Sequence, residues 1–254
     1  MKRLLTLLAF IISLSFAVGC CVHTHGHRII YKPPQEEFVE SLANNTVALI
    51  AKSELSGEYY TYCSGVWVDR RHFITARHCI ENDDESVSLG NLVKFKTIKE
   101  FSTEHPPPTL EDDDIYTGLV SSFGRDFDLA IVATVDDVSH TNAKVSDKRL
   151  YDGLPVHIVG HPVGLEYTYF TGIISKTRDI WAFGMNQKTL QITSFTWMGN
   201  SGCGAYDDDG GLVGIASFMV VKSGARGMAF YIHRDTIVNF LDDNQIEYEI
   251  LQTK

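Results

Sequence analysis

The chain has 254 residues, of which 44% are hydrophobic and 21% are charged, and its formal net charge is −10. This length and composition suit one large globular domain or two small ones, and they exclude a fibrous or low-complexity protein. The basic residues are scattered along the chain, so we expect no nucleic-acid binding, which needs a clustered basic face to neutralise phosphates.

The N-terminal segment, residues 1–19, is predicted to be a signal peptide. Lys2 and Arg3 precede the apolar run Leu4–Val18, which is short for a membrane span and typical of a secretory signal. We therefore expect an exported protein.

Two cleavage sites fit the end of this apolar run. Ala17-Val18-Gly19-Cys20 resembles a bacterial lipobox, in which Cys20 would be acylated and become the mature N-terminus. Ser15-Phe16-Ala17 resembles an ordinary signal-peptidase site, and an uncleaved anchor is a third alternative. Because a cysteine directly follows the run, we favour the lipobox. The expected location is then a membrane of the cell envelope or periplasm, with secretion as the alternative.

Export implies an oxidising compartment, so the five cysteines are candidates for disulfide bonds. Cys20 and Cys21 belong to the N-terminal segment. Cys63, Cys79 and Cys203 remain, and one disulfide with one free thiol is the simplest accounting.

Residues 20–39 are interpreted as a tether between the membrane and a folded domain. The segment contains three alternating histidines, His23, His25 and His27, which could bind a metal such as zinc. A structural zinc site takes four ligands, so we favour a solvated linker and predict no metal site.

From residue 40 onwards the chain is predicted to form short β-strands. The runs are rich in Val, Ile, Thr and aromatic residues and are bounded by turn residues, which is typical of an all-β barrel or sandwich. The predicted strands are Val47–Ala51, Tyr59–Val68, His72–Thr75, Val93–Phe101, Leu129–Val135, Val156–Val159, Tyr167–Ser175, Leu190–Phe195, Leu212–Phe218 and Met228–Ile232. Residues 103–114, which are rich in proline and acidic side chains, are predicted to be a surface loop. Residues 135–154 are interpreted as a linker between two β units.

One helix is predicted, over residues 235–243. Asp235 can cap its N-terminus, and an apolar stripe follows at helical spacing. The stripe consists of Ile237, Val238, Phe240 and Leu241.

The stretch Met198–Gly204, MGNSGCG, places Ser201 between glycines. Such a stretch is either a surface turn, because Gly and Asn tolerate positive φ, or the loop of a nucleophile, which needs bare N–H groups near the reacting carbonyl. A serine hydroxyl is a poor nucleophile unless a base takes its proton and a third group orients that base. The nucleophile hypothesis therefore requires a histidine and a carboxylate in fixed positions.

His78 and Asp128 are the candidates for these two roles. His78 follows the predicted strand His72–Thr75. Asp128 opens a wholly apolar strand, where burial of a carboxylate is costly unless a donor such as a histidine N–H compensates for it. Asp126 is the nearby competitor, but it lies in a predicted loop.

Three segments together resemble those of chymotrypsin/trypsin-like serine proteases, in which His, Asp and Ser follow in this order. They are CSGVWVDRRHFITARHC, DFDLAIV and GNSGCG. In the second half, VGHPVGLEYTYFTGIIS and GMAFYIHRDTIVNFL resemble segments of the bacterial trypsin-like, HtrA-type branch. The resemblance extends over residues 40–243. It implies an all-β fold of two six-stranded antiparallel β-barrels, about 40–138 and 150–233, with a C-terminal helix. Because the sequence ends about ten residues after this helix, we expect no PDZ module.

The resemblance also implies a role for each site residue. Ser201 would be the nucleophile, His78 the general base and then acid, and Asp128 the group that orients His78. The backbone N–H groups of Gly199 and Ser201 would form the oxyanion hole. The implied partner is a polypeptide substrate, and no cofactor is needed.

Further implied features are a disulfide between Cys63 and Cys79 and a substrate cleft lined by Phe195, Ser217 and Phe218. Phe195 stands six residues before the nucleophile, at a position that often sets side-chain preference in the family. Since no acidic residue stands there, we expect a hydrophobic or small residue at the cleaved position instead of Lys or Arg.

Two residues depart from the family pattern and keep other interpretations open. Cys203 stands in place of a glycine, and Arg77 occupies a position that is usually small. A pseudoenzyme that binds a peptide is therefore an alternative to a peptidase. The His-rich tether and the acidic loops suggest a second alternative, a surface lipoprotein that binds metal. Esterase activity would use the same residues.

Overall fold

The computed structural model describes residues 34–81, 92–98, 115–220 and 228–252. The predicted signal peptide, Cys20, most of the tether and the loop 103–114 lie outside these ranges. None of the helices within the described ranges has the length and apolar character that crossing a bilayer requires.

The first barrel has six antiparallel strands: β1 Thr46–Lys52, β2 Tyr59–Trp67, β3 His72–Thr75, β4 Leu92–Thr97, β5 Tyr116–Phe123 and β6 Ala130–Ala133. They close into a barrel in the order β1-β2-β3-β6-β5-β4. The interior is filled by aromatic rings: Trp67, Phe73 and Phe95 are fully buried and pack edge to face. Thr75, the last residue of β3, pairs with Ala130, the first residue of β6. The residues after β3 and before β6 therefore leave the barrel at the same edge.

After β7 (Lys144–Ser146), the second barrel also has six antiparallel strands: β8 Pro155–Gly160, β9 Thr168–Ala182, β10 Met185–Ser194, β11 Gly204–Tyr206, β12 Leu212–Met219 and β13 Met228–His233. The pairing of β11 with both β8 and β12 closes the barrel. β7 and β14 (Glu249–Leu251) extend the sheet beyond β12 with parallel pairings. The two barrels are joined by an apolar cluster, which includes Ile74 and Leu129 from the first barrel and Ile215 and Ile232 from the second.

The predicted fold class, two six-stranded antiparallel barrels with a C-terminal helix, is confirmed. Each of the ten predicted strands overlaps an observed strand, and the terminal helix spans Arg234–Asp243. Four strands, β5, β7, β11 and β14, were not predicted; three of them have only three residues, too few to show a period-two pattern.

One correction concerns the predicted tether, because residues 34–39 belong to a helix. This helix, α1, spans Pro34–Asn44, so the terminal helix is α2. Leu42 and Ala43 are buried, and the ring of Phe38 packs edge-on against His157 of β8 at a centroid distance of 4.9 Å. The helix forms because these residues repeat at helical spacing and cover the second barrel.

Candidate active site

The structure brings the three predicted triad residues together where the two barrels meet. His78 lies in a short 3-10 turn, Arg77–Cys79, after β3, and Asp128 lies two residues before the start of β6. Ser201 lies in the loop between β10 and β11 of the second barrel. His78 Nδ1 is 2.7 Å from Asp128 Oδ2, and His78 Nε2 is 2.9 Å from Ser201 Oγ. These are hydrogen-bond distances, so the three side chains form a continuous chain of hydrogen bonds from the carboxylate to the hydroxyl.

Asp128 is 1% exposed, and its carboxylate is satisfied by hydrogen bonds. Besides the imidazole, it accepts bonds from the backbone N–H of His78 at 2.9 Å and from the hydroxyl of Ser217 at 2.5 Å. Its own backbone N–H donates to Oε1 of Gln187 at 2.7 Å. Charge-assisted bonds of this kind let a carboxylate stay ionised in a buried place. The bond from Ser217 and the contact with Gln187 were not predicted.

The predicted Cys63–Cys79 disulfide is present. It ties the turn that carries His78 to β2, so the backbone of His78 is fixed to the first barrel. The two sulfurs and the His78 ring lie within 4.8 Å of one another. Because both sulfurs are in the disulfide, they are not thiolates and do not form a metal-ligand set.

Two glycines shape the loop around Ser201. Gly199 has φ +98°, and a Cβ there would lie 2.1 Å from the carbonyl oxygen of His161. Gly202 has φ +87°, and its Cβ would lie 2.0 Å from the carbonyl oxygen of Ser64. Both positions therefore exclude any side chain.

Ser64 of β2 holds the same loop from the first barrel. Its N–H donates to the carbonyl of Ser201 at 2.7 Å, and its hydroxyl donates to the carbonyl of Gly199 at 2.8 Å. Within the described ranges the N–H groups of Gly199 and Ser201 donate to no protein acceptor. The loop thus has two free donors beside Ser201, as an oxyanion hole requires.

A cavity of about 160 Å³ opens beside Ser201. Ser217 and Phe218 line it, as the sequence predicts. Met219 and Ala229 also line it, and their side chains reduce the space for a substrate side chain.

The prediction for Phe195 is wrong, because this residue does not line the cavity. Its side chain is 63% exposed and packs edge-on against Phe170, with a centroid distance of 6.3 Å. Side chains alternate along this extended segment, so Ser194 and Thr196 point inwards and Phe195 points out. Thr196 lines the cavity in its place.

A second cavity, of about 430 Å³, lies on the other side of His78. Phe183, at the turn of the β9–β10 hairpin, lines both cavities. Arg77 lines the larger one, but its guanidinium is paired with Glu81 and donates to the carbonyl of Gly124 at 2.7 Å. The hydrogen bond from Arg77 lowers the pKa of Glu81. Arg77 therefore forms a neutral pair at the edge of the cleft.

Cys203, the other departure from the family pattern, is fully buried in the core of the second barrel. Burial raises the pKa of its thiol to about 12. A thiol with this pKa forms almost no thiolate near neutral pH, so Cys203 packs as a small apolar side chain.

Comparison with known proteins identifies the family. The model of the trypsin-like peptidase domain matches residues 63–215. The chain belongs to the trypsin-like peptidase family. A 156-residue stretch is 27% identical to putative protease Do-like 14 of Arabidopsis thaliana and covers 59% of this chain and 36% of that protein. A 142-residue stretch is 32% identical to the chloroplastic protease Do-like 1 of the same plant and covers 53% of this chain and 32% of that protein.

The chain thus spans about a third of the length of these curated relatives. Among solved structures, the serine endoprotease from Yersinia pestis superposes with a TM-score of 0.61 at 20% identity, covering 84% of this chain and 67% of that one. This match supports the fold. The predicted family is confirmed, and the Do-like relatives agree with the predicted HtrA-type branch.

Proposed function

We propose that this chain is an exported serine endopeptidase that hydrolyses polypeptides through an acyl-enzyme. The observation that carries the proposal is the hydrogen-bonded chain from Asp128 through His78 to Ser201, with 2.7 Å and 2.9 Å contacts. It lies beside two free backbone donors and a cavity, which are the remaining parts that acyl transfer needs.

In the proposed first half-reaction, Ser201 Oγ attacks the carbonyl carbon of the substrate and its proton passes to His78 Nε2. The oxyanion that forms accepts hydrogen bonds from the N–H groups of Gly199 and Ser201. His78 then gives the proton to the leaving nitrogen, the C–N bond breaks, and the acyl group remains on Ser201.

In the second half-reaction water attacks the acyl-enzyme and gives its proton to His78. The tetrahedral intermediate collapses, the acid is released, and Ser201 regains its proton from His78. Asp128 accepts the hydrogen bond from His78 Nδ1 and stabilises the imidazolium, a role that its burial and its bonds from Ser217 and from the His78 backbone support.

We also propose that the protein is active without proteolytic processing. Asn200, next to the nucleophile, is 1% exposed and carries no charge that a freed N-terminus would have to neutralise. Its amide donates to the hydroxyl of Thr196 at 3.4 Å, and Ser64 holds the adjoining carbonyls. An active form found only after cleavage near residues 40–46 would contradict this.

The shape of the small cavity supports a preference for a small or medium apolar residue at the cleaved position. Thr196, Met219 and Ala229 line the cavity without any acidic group. A Lys or Arg side chain would find neither the length nor the counter-charge that it needs.

A fluorophosphonate probe tests the proposed activity, because it labels only an activated serine. We expect labelling at Ser201, located by mass spectrometry, in the wild type and in the control Ser56→Ala, which removes an exposed serine of a surface loop. Ser201→Ala and His78→Ala should abolish it. The labelled wild type should also hydrolyse an unfolded protein substrate in the presence of EDTA. An unlabelled wild type that is folded and has its disulfide would favour the pseudoenzyme alternative.

Lipid attachment is a separate proposal, supported by the sequence around Cys20. Expression of the full chain in bacteria with labelled palmitate should label the wild type and Cys21→Ala but not Cys20→Ala. Equal labelling of all three, or of none, would contradict attachment at Cys20.

A further inference from the structure

The β9–β10 hairpin has an unusual residue in its turn. Ala182 pairs with Met185, so Phe183 and Gly184 form a two-residue turn with φ of +50° and +73°. Two positive φ values define a type I′ turn, whose first position favours Asn, Asp or Gly. A phenylalanine there is strained, and the strain is not explained by burial, because the side chain is 52% exposed.

The ring of Phe183 lies on the imidazole of His78. The ring centroids are 5.0 Å apart and the planes are inclined by 16°, which is a stacked arrangement. The same ring meets Phe218 of β12 edge-on at 6.0 Å. Phe183 therefore bridges the histidine of the first barrel and the cleft strand of the second.

Gln187 of the same hairpin contacts the other member of the pair. Its side chain is 1% exposed, and Oε1 accepts a hydrogen bond from the backbone N–H of Asp128 at 2.7 Å. Its Nε2 donates to the carbonyl of Ala182 at 3.3 Å, beside the turn. A buried amide with partners on both ends has one defined orientation.

We propose that the tip of the β9–β10 hairpin positions the His78–Asp128 pair: Phe183 holds the plane of the imidazole, and Gln187 holds the backbone of Asp128. This inference rests on the proposed peptidase function. Neither residue exchanges a proton with the substrate; both act through the triad. Stacking restricts rotation of the imidazole, keeps water from one face, and attracts the imidazolium that forms during the reaction.

Substitution of Phe183 separates positioning from folding. Phe183→Asn creates an Asn-Gly turn, which favours the type I′ conformation, so its thermal midpoint should equal or exceed that of the wild type. We expect this variant and Gln187→Met to react at least roughly tenfold more slowly with a small fluorophosphonate, since misplacement of the base slows proton transfer. With a peptide substrate, kcat of Gln187→Met should fall while KM changes little, because Gln187 does not line either cavity. Phe183→Tyr should restore the rate.

Trp181→Thr is the matched control, because Trp181 is a 72% exposed aromatic residue of the same hairpin. It should react at the wild-type rate. Wild-type rates in both Phe183→Asn and Gln187→Met would overturn the proposal. Faster reaction of Phe183→Asn would also overturn it, because the ring would then be an obstruction.

Proton NMR supplies a readout that does not depend on activity. The proton between His78 Nδ1 and Asp128 should give a far-downfield signal in the wild type and in Trp181→Thr. It should be broadened or lost in Phe183→Asn and Gln187→Met, because solvent reaches it and the geometry loosens. Should the wild type prove unreactive, the peptidase proposal fails while this comparison still decides the positioning proposal: an unchanged signal in both variants refutes it.

Discussion

His161, a histidine outside the proposed triad, is predicted to make stability depend on pH. Its side chain is fully buried where the β8–β9 loop meets the first barrel. Nδ1 accepts a hydrogen bond from the N–H of Tyr167 at 3.0 Å, and Nε2 lies 3.2 Å from the carbonyl of Val47, to which it donates. A neutral imidazole satisfies both contacts, whereas a proton on Nδ1 would remove the first one.

The pKa of His161 is lowered from 6.5 to about 3, mainly by burial and to a smaller extent by the charge of Lys96, while the hydrogen bond to the Val47 carbonyl acts in the opposite direction. Between these two values the unfolded chain binds a proton that the folded protein does not. The free energy of unfolding therefore falls as the pH drops below 6.5 and is unaffected by this group above it. At about 1.36 kcal/mol per pH unit, the loss at pH 5 is about 2 kcal/mol.

Urea unfolding at pH 7.5 and pH 5 checks this value. The wild type should lose about 2 kcal/mol more between the two conditions than His161→Gln, whose side chain does not titrate. Because the other titrating groups contribute equally to both losses, the difference between the two losses reports on His161 alone. An equal loss in both proteins would show that His161 is protonated in the folded state, or that the buried contacts adapt to the charge, and would refute the reasoning.

The remaining predictions concern the site and the cysteines. Asp128→Asn should lower kcat for peptide hydrolysis by about 10⁴ because the imidazole loses its orienting anion; a loss below about tenfold would contradict the proposed role. Ala229→Gly widens the small cavity and should raise kcat/KM for larger apolar side chains at the cleaved position relative to alanine; an unchanged ratio would place that side chain elsewhere. Removing the disulfide with Cys63→Ala and Cys79→Ala should destabilise the protein by about 3 kcal/mol in urea unfolding, the chain-entropy value for a loop of this size, and no loss would contradict it. Cys203 should react with iodoacetamide only in denaturant, and rapid modification located at Cys203 by mass spectrometry in the folded protein would contradict its burial.

The triad residues could be predicted from sequence because each one leaves a local signal. Ser201 is flanked by glycines, and the structure shows why: Gly199 and Gly202 adopt positive φ with no room for a Cβ. Asp128 begins an apolar strand, and burial of a carboxylate there predicts hydrogen-bond donors, which the structure supplies. These signals depend on a few adjacent residues and can be recognised in a single sequence.

Phe195 shows where such local prediction fails. Its distance from Ser201 in the chain predicts a place in the cleft, but side chains on an extended segment alternate between faces. An offset of one residue therefore moves a side chain from the cavity to the surface. Helix α1 was missed for a related reason: its apolar stripe has meaning only once the second barrel that it covers is known.

The tip of the β9–β10 hairpin cannot be predicted from local patterns. The predicted strands end at Ser175 and resume at Leu190, whereas the observed β9 continues to Ala182 and the observed β10 begins at Met185. The turn lacks the Asn-Gly or Asp-Gly pair that normally marks a hairpin, because its first position is occupied by Phe183. The residue that hides the hairpin from the sequence is also the one whose ring reaches His78. A strained turn residue that is half-exposed gains little stability from burial, so the contact with His78 is the best physical reason for Phe183 at this position. The tip of this hairpin is therefore the part of the site that the structure reveals and the sequence does not.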